Sequence, residues 1–360
     1  MIATIPGELL SGDLIGYRYM SSLLSEIKIS DLYVNTTNEE STYKATSDSS
    51  DINPIPTKFY EELDAIRNGL MSDSSNATRV ATSEFRVKFN FTWKGVPLRA
   101  ERLNTTGGPV FVCRNWGTEG LKKLDQYGFS TKLIPHLLSP KIRNGLFLFM
   151  GPTGSGKSTA AAACLVQRLE EIGGAAWTLE CPVERPLNGR HGKGYCYQIE
   201  VESDNYFGEG IKQIVRASPN ILLIGEIRTA EAANEAVLAA AGGMLVITTY
   251  HASDLLIGLA RFAKQCGEKD IFASILRGAL FLNLKTGSEV RKMLPGQERL
   301  PGRQIIPDRV LQVDPLMLTG SPEKVDPIRS IIRSDNIGTL SSVILAQKES
   351  FIMQKDNVII

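Results

Sequence analysis

The sequence predicts an α/β chain in two parts: a parallel-sheet domain built around an anion-binding loop, preceded by a smaller α+β domain. Three observations lead there. The residues Gly151-Pro152-Thr153-Gly154-Ser155-Gly156-Lys157-Ser158-Thr159 fit G-x-x-x-x-G-K-[ST] and follow the apolar run 145–150. From position 140 onward, short apolar runs alternate with helical patterns, as in a parallel sheet buried on both faces. Ahead of that, three alternating segments predict an antiparallel meander. With 360 residues, the chain exceeds what one hydrophobic core usually serves, which also favours two domains.

Residues 1–116 are assigned to the α+β domain. A lead-in over 6–20 passes into helical spacing at 21–30, with Leu23, Leu24 and Ile27 as the apolar positions, and 31–34 has the period of a short strand. Almost all of 35–51 is Ser, Thr, Asn, Asp, Glu or Lys. Such a stretch cannot offset its ordering entropy by burial, so it predicts an exposed loop or hairpin tip. A helix over 57–70 carries Phe59, Leu63, Ile66 and Leu70 on one side and is expected to break at 71–76. The alternating segments 84–91, 96–103 and 108–113 form the meander. Residues 117–139 are expected to be a helical and loop connection. In 140–360 the strands are placed at 146–150, 177–180, 221–225 and 244–250, and a helical tail at 327–354 uses Ile328, Ile331, Ile332, Leu340, Val343, Ile344 and Ile352 as its apolar contacts.

Composition narrows the function classes. A formal net charge of +1 gives no bulk electrostatic reason to expect nucleic acid. Cys113, Cys164, Cys181, Cys196 and Cys266 form no C-x-x-C pair, so neither a zinc site nor a disulfide framework is indicated and a reducing cytoplasm is expected. Glu8 and Asp13 stand where a secretory leader would be basic or apolar. The apolar stretch 236–250 is split by Gly242-Gly243 and is too short for roughly 30 Å of hydrocarbon.

The loop defines the chemistry. Its glycines permit a tight turn with the N–H groups pointing inward, and the helix after it adds a positive dipole end. Lys157 supplies a mobile charge for the β- and γ-phosphates, and the Ser158 hydroxyl a ligand for Mg2+. The chain is therefore expected to bind ATP with Mg2+ through residues 151–159. Two further strands end in carboxylates, Glu180 and Glu226, and a third ends in His251. Taken alone, each carboxylate also reads as a helix cap or an arginine partner, and His251 as an ordinary core or surface histidine.

The ordered set GPTGSGKST, TLECPVE, ILLIGEIR and TTYHAS resembles the secretion ATPase superfamily of type II secretion, type IV pilus and type IV secretion motors, with its Walker A loop, aspartate box, atypical Walker B and histidine box. Segments 96–104, 110–114 and 326–332 continue the resemblance outside the core. It implies a PAS-like N-terminal domain, a RecA-like P-loop ATPase domain and assembly into a homo-hexamer. Glu180 would activate or orient the attacking water, Glu226 would hold Mg2+ with Ser158, and His251 would couple the γ-phosphate to the sheet. Arg99 and Arg114 match N-terminal-domain arginines that close over nucleotide, and Arg216 and Arg228 match arginines near the site. Read from the strands alone, Arg99, Arg102 and Arg114 are equally a solvated sheet face. The implied partners are inner-membrane components of a secretion, conjugation or pilus machine, with the subunit cytoplasmic and held peripherally at the membrane.

Three departures stand out. Cys181 replaces the Asp of the aspartate box, Asn220 an acidic residue before the Walker B strand, and Thr229 the Asp that often follows its Arg. The polar stretch 35–51 and the altered box lean toward the type IV secretion and conjugation branch. Cys181 also leaves open a non-hydrolysing subunit that binds ATP and docks on the same machine. A RecA-like helicase is the third reading, without the basic, aromatic-interleaved stripe that would support it.

Overall fold

The computed structural model describes residues 23–27, 29–45, 51–76, 86–115, 121–286, 309–334 and 336–352. The expected lead-in at 6–20, residues 46–50 near the end of the polar stretch and the end of the tail at 353–354 lie outside them. The chain divides into two compact units, Met1–Thr118 and Glu119–Ile360.

In the first unit a short helix α1 (Leu23–Glu26) precedes strands β1 (Asp31–Val34), β2 (Thr42–Lys44) and β3 (Asn53–Pro54), helix α2 (Tyr60–Asn76), and strands β4 (Arg86–Trp93), β5 (Val96–Thr105) and β6 (Gly108–Asn115). The strands form one antiparallel sheet in the order β3-β2-β1-β6-β5-β4. Alternation decides its faces. Leu32 and Val34, Leu98 and Ala100, and Phe111 and Cys113 are buried two apart, and they share a core with Phe59, Leu63, Ile66 and Leu70. The β4–β5 turn places Lys94 and Gly95 at φ 47° and 82°, the two left-handed residues whose twist suits a two-residue hairpin.

One expectation is met and one changes here. The described part of the polar stretch is the tip and return strand of a hairpin, β2 pairing with β1, and the tip is tied by the buried Ser41 hydroxyl, which donates to Thr37 O at 2.7 Å and accepts the Asn35 amide at 2.9 Å. Helix α2 runs through Asn76 instead of breaking at Met71, because Ser74 satisfies itself locally by donating to Met71 O at 3.0 Å.

The second unit holds α3 (Ile134–Leu137), β7 (Gly145–Gly151), α4 (Lys157–Glu171), β8 (Gly174–Glu180), β9 (Gly189–His191), β10 (Gly194–Glu200), α5 (Phe207–Val215), β11 (Ile221–Ile224), α6 (Ala230–Ala241), β12 (Leu245–His251), α7 (Leu255–Gln265), α8 (Lys269–Ile275), β13 (Leu276–Thr286), β14 (Arg309–Met317), α9 (Pro322–Arg333) and α10 (Ser341–Ile352). Its sheet runs β14-β13-β7-β12-β11-β8-β10-β9. The six inner strands are parallel, and β14 and β9 are antiparallel edges. Every residue of β7 is buried, as a strand covered on both faces must be. Leu146, Leu148 and Met150 face a core shared with α5 to α8. Phe147 and Phe149 face α4 together with Leu124, Phe129, Leu133 and Leu137. Residues 124–138, expected to lie in a connection, thus supply part of this unit's core. Among the described residues no helix is long and apolar enough to cross a membrane.

Candidate functional site

The C-terminal ends of β7, β8, β11 and β12 lie side by side, the edge where ligands of open α/β sheets collect. After β7 the chain must turn back within five residues to start α4, and glycine geometry makes this possible. A Cβ on Gly151 would sit 2.4 Å from Leu282 O and 2.5 Å from Ser155 Oγ, and Gly154 and Gly156 have φ of 78° and 89°. Gly156 leads directly into α4, so the first N–H groups of a long helix open onto the turn. The Lys157 ammonium folds back to donate to Pro152 O at 2.9 Å. Burial lowers its pKa, while the negative charges of Glu226 and Glu184 oppose that shift.

Beside this loop is a cavity of about 620 Å³, lined by residues 153–159, by Glu180 and Cys181, by Glu184 and Arg185, by Glu226 and Arg228, and by apolar side chains that include Tyr127, Leu284 and Leu311. Ser155 Oγ is buried there without a hydrogen-bond partner, an unmet hydroxyl in a cradle of amides. That fits the oxygens of a phosphate chain. Among the described residues no three His, Cys, Asp or Glu side chains gather into a metal site. Mg2+ suits such a place, because it takes few protein ligands and fills its octahedron with phosphate oxygens and water. Ser158 and Glu226, the expected pair, both line the cavity.

The two carboxylates are held differently. Glu180 ends β8 and is only 7% exposed. Its Oε1 accepts from Gln198 Nε2 at 2.7 Å, and its Oε2 has a long 3.5 Å contact with the Glu184 amide. Burial pushes the carboxyl above its ordinary range, and these hydrogen bonds partly restrain the rise. Glu226 follows β11 and accepts from Arg228 Nε at 2.8 Å, while Arg228 Nη1 donates to Asp204 Oδ2 at 2.8 Å. The segment after β8 is tied to β10 as well: Glu200 accepts the Val183 amide at 3.0 Å and Gln198 Oε1 accepts the Leu187 amide at 2.9 Å.

Of the expected residues, Thr153 to Thr159, Glu180 and Glu226 share the cavity, and Arg228 reaches it. Gly151 and Pro152 precede the lining stretch of the loop and are not part of the lining. His251 ends β12 in register with Gly151, exposed and outside the lining. Arg216 sits beyond α5, ahead of β11, in a separate hollow with Lys212 and Met244. Arg99 and Arg114 belong to the first unit, opposite each other on β5 and β6, and Arg114 Nε donates to the buried Asp31 at 2.8 Å. Of the three departures, Asn220 Oδ1 accepts the Ala175 amide at 2.8 Å, Thr229 caps α6 through the Ala232 amide at 3.2 Å, and Cys181 lines the cavity. Sequence reasoning missed Gln198 and Asp204. The only signal for Gln198 was the alternation of 194–200, which marks a strand but not its role.

A family model described as "Type II/IV secretion system protein" matches residues 21–286. The type II secretion system protein HxcR of Pseudomonas aeruginosa is 31% identical over 231 residues, covering 62% of the chain and 45% of that relative. The type IV pilus assembly ATPase TfpB of Acinetobacter baylyi is 30% identical over 200 residues, covering 55% and 32%. The chain thus spans less than half the length of these two relatives. Among solved structures, the pilus retraction motor PilT with bound ADP superposes with a TM-score of 0.66 at 21% identity, covering 89% of the chain and 87% of that structure. The Legionella pneumophila ATPase DotB gives 0.59 at 18%, covering 90% and 92%. At these identities the likeness establishes the fold, a RecA-like core that follows a smaller N-terminal domain in the chain.

Proposed function

Because the chain belongs to the type II/IV secretion system protein family, we propose that it is an ATPase whose turnover drives a secretion, conjugation or type IV pilus machine. The observation that carries this reading is that the phosphate loop, Glu180 and Glu226 line one cavity. The names of the relatives, which include a pilus assembly ATPase and a retraction motor, support it.

In the proposed reaction the amides of residues 153–158 and the N-terminus of α4 bind the phosphates, and Lys157 exchanges the Pro152 carbonyl for a phosphate oxygen. Mg2+, held by Ser158 and Glu226, would neutralise charge on the β- and γ-phosphates. Glu180 orients the attacking water and takes its proton at Oε2, the oxygen that Gln198 leaves alone. Burial makes this carboxylate a stronger base than one in water, which suits the role while it stays ionised. Arg228 guards Glu226 until the metal competes for it.

The rest of the reading follows the family. Six subunits form a ring, His251 reports the γ-phosphate, and Arg99 and Arg114 answer to bound nucleotide. The partners are inner-membrane components of the machine, and the subunit works at the cytoplasmic face. Purified full-length protein should release phosphate from ATP only with Mg2+, and Glu180→Gln should stop release while keeping ATP binding. Tight binding by the natural protein without turnover would replace this reading with a non-hydrolysing assembly subunit, which Cys181 in the cavity wall favours. A monomeric mass with and without ATP would remove the ring.

A further inference from the structure

Gln198 lies on β10, opposite Thr178 in the parallel pairing with β8, about twenty residues beyond the aspartate box and outside every motif of the sequence. Its side-chain amide makes three hydrogen bonds of good length. Nε2 donates to Glu180 Oε1 at 2.7 Å and to the Arg185 carbonyl at 2.8 Å, and Oε1 accepts the Leu187 amide at 2.9 Å. The orientation of the amide is fixed by its neighbours, since two acceptors face the nitrogen and one donor faces the oxygen. One side chain therefore clamps both the carboxylate and the main chain that leaves it.

We propose that Gln198 is a positioning residue for ATP hydrolysis: it holds Glu180 by one oxygen, so that the other is presented to the attacking water in a fixed direction. This rests on reading Glu180 as the group that takes the water proton. Without Gln198 the carboxylate could either turn wholly onto its other neighbours, the Glu184 amide that Oε2 touches at 3.5 Å and the Thr178 hydroxyl, or take up a proton. Gln198 opposes both, because it anchors Oε1 and donates to the ionised form. Neighbouring Glu200 provides the contrast: it accepts the Val183 amide at 3.0 Å and so ties down the same segment, yet it serves the main chain and not Glu180.

The test compares Gln198→Glu, Gln198→Met and Glu200→Ala with the natural full-length protein, measuring kcat and KM for ATP, affinity for a fluorescent ATP analogue, and Tm. Gln198→Glu keeps the size of the side chain and an acceptor for Leu187 while replacing the amide donor by a second carboxyl, whose charge opposes the ionised form of Glu180. It should lower kcat about 10- to 100-fold, the worth of one hydrogen bond to a charged group, with KM and analogue affinity within about threefold of the natural protein. Gln198→Met should match it, and should either variant fail to fold the other still decides the matter. Glu200→Ala should lower Tm but hold kcat within about threefold. An equal loss of kcat in Glu200→Ala would mean that order in the 182–187 segment is what counts, and would overturn the assignment. Unchanged kcat in both Gln198 variants, with turnover still abolished by Glu180→Gln, would overturn it while leaving the ATPase standing. Absence of turnover in the natural protein would remove both.

Discussion

The two ends of the cavity are made in different ways. At the end of β7 the anion cradle is main chain: amides, three glycines and a helix terminus within nine consecutive residues. At the ends of β8 and β11 the acidic wall is side chain. Glu180 is held by Gln198 on β10, and Glu226 by an arginine that is itself held by Asp204 ahead of α5. The first end is local in sequence and rigid by backbone geometry. The second is assembled from elements far apart in the chain and is only as well aimed as its hydrogen bonds. On the proposed reading, binding therefore depends on a motif, and turnover on a network.

The largest effect should come from the network. Glu180→Gln removes the proposed base and should cost about 10²- to 10⁴-fold in kcat, read as phosphate release, with ATP affinity nearly unchanged. The same substitution has a stability signature whose sign is fixed. Burial raises the folded-state pKa of Glu180, so its contribution favours folding when protonated and is lost as pH rises through that raised value. The Gln variant cannot ionise. Its denaturation free energy should therefore gain on the natural protein as pH rises from the unfolded carboxylate range toward neutrality. Equal kcat values, or a stability difference independent of pH, would break the distinction between the two ends.

At the cradle, the expected loss is in fold and binding together. Gly151→Ala puts a methyl against Leu282 O and Ser155 Oγ at φ 150°, where backbone cannot give way cheaply. We expect a loss of roughly 3 kcal/mol in urea denaturation and a parallel fall in ATP affinity. If Gly151→Ala instead lowered kcat alone, the cradle would be behaving like the acidic wall.

This contrast also explains what was legible in the sequence. The cradle, the strands that end in Glu180 and Glu226, and the α/β architecture all leave local marks, because a buried parallel strand is a short apolar run and a phosphate loop is a spacing. Gln198 leaves none for its role: 194–200 is Gly-Tyr-Cys-Tyr-Gln-Ile-Glu, in which Cys196 enters the core while Tyr197 stacks on Trp177 and Tyr195 lies tilted against Tyr197. Residues 124–138 were illegible for a related reason. They are fastened by polar groups of α4, since Gln167 accepts the Leu124 amide at 2.8 Å and the buried Arg168 donates to the carbonyls of Leu137 and Ile142 at 2.6 and 2.5 Å. Such long-range side-chain to main-chain contacts have no periodicity to detect. The antiparallel pairing of β13 with β14 was missed as well.

A smaller effect should follow at Asp204. Its bond to Arg228 keeps that guanidinium from resting wholly on Glu226. Asp204→Asn should leave the arginine a stronger competitor for Glu226, raising the Mg2+ concentration for half-maximal turnover. Arg228 is more than half exposed, so the change is limited to about fivefold at most. An unchanged Mg2+ titration would cut Asp204 out of the network.

The smallest effect separates support from chemistry next door to Arg228. Thr229 stands where Asp often follows this arginine in the resembling family, and its hydroxyl accepts the Ala232 amide at 3.2 Å with extended backbone, φ −102° and ψ 153°. That is an N-cap, a role that Asp fills equally well. Thr229→Ala should therefore cost about 1 kcal/mol, roughly 2–4 °C in Tm for a unit of this size. Thr229→Asp should hold or slightly raise Tm, because a negative charge is favourable at a helix N-terminus. Both should keep kcat within about twofold. A carboxylate at 229 that changed the rate by tenfold would place this position in the acidic wall, and the departure from Asp would then be a matter of catalysis instead of helix capping.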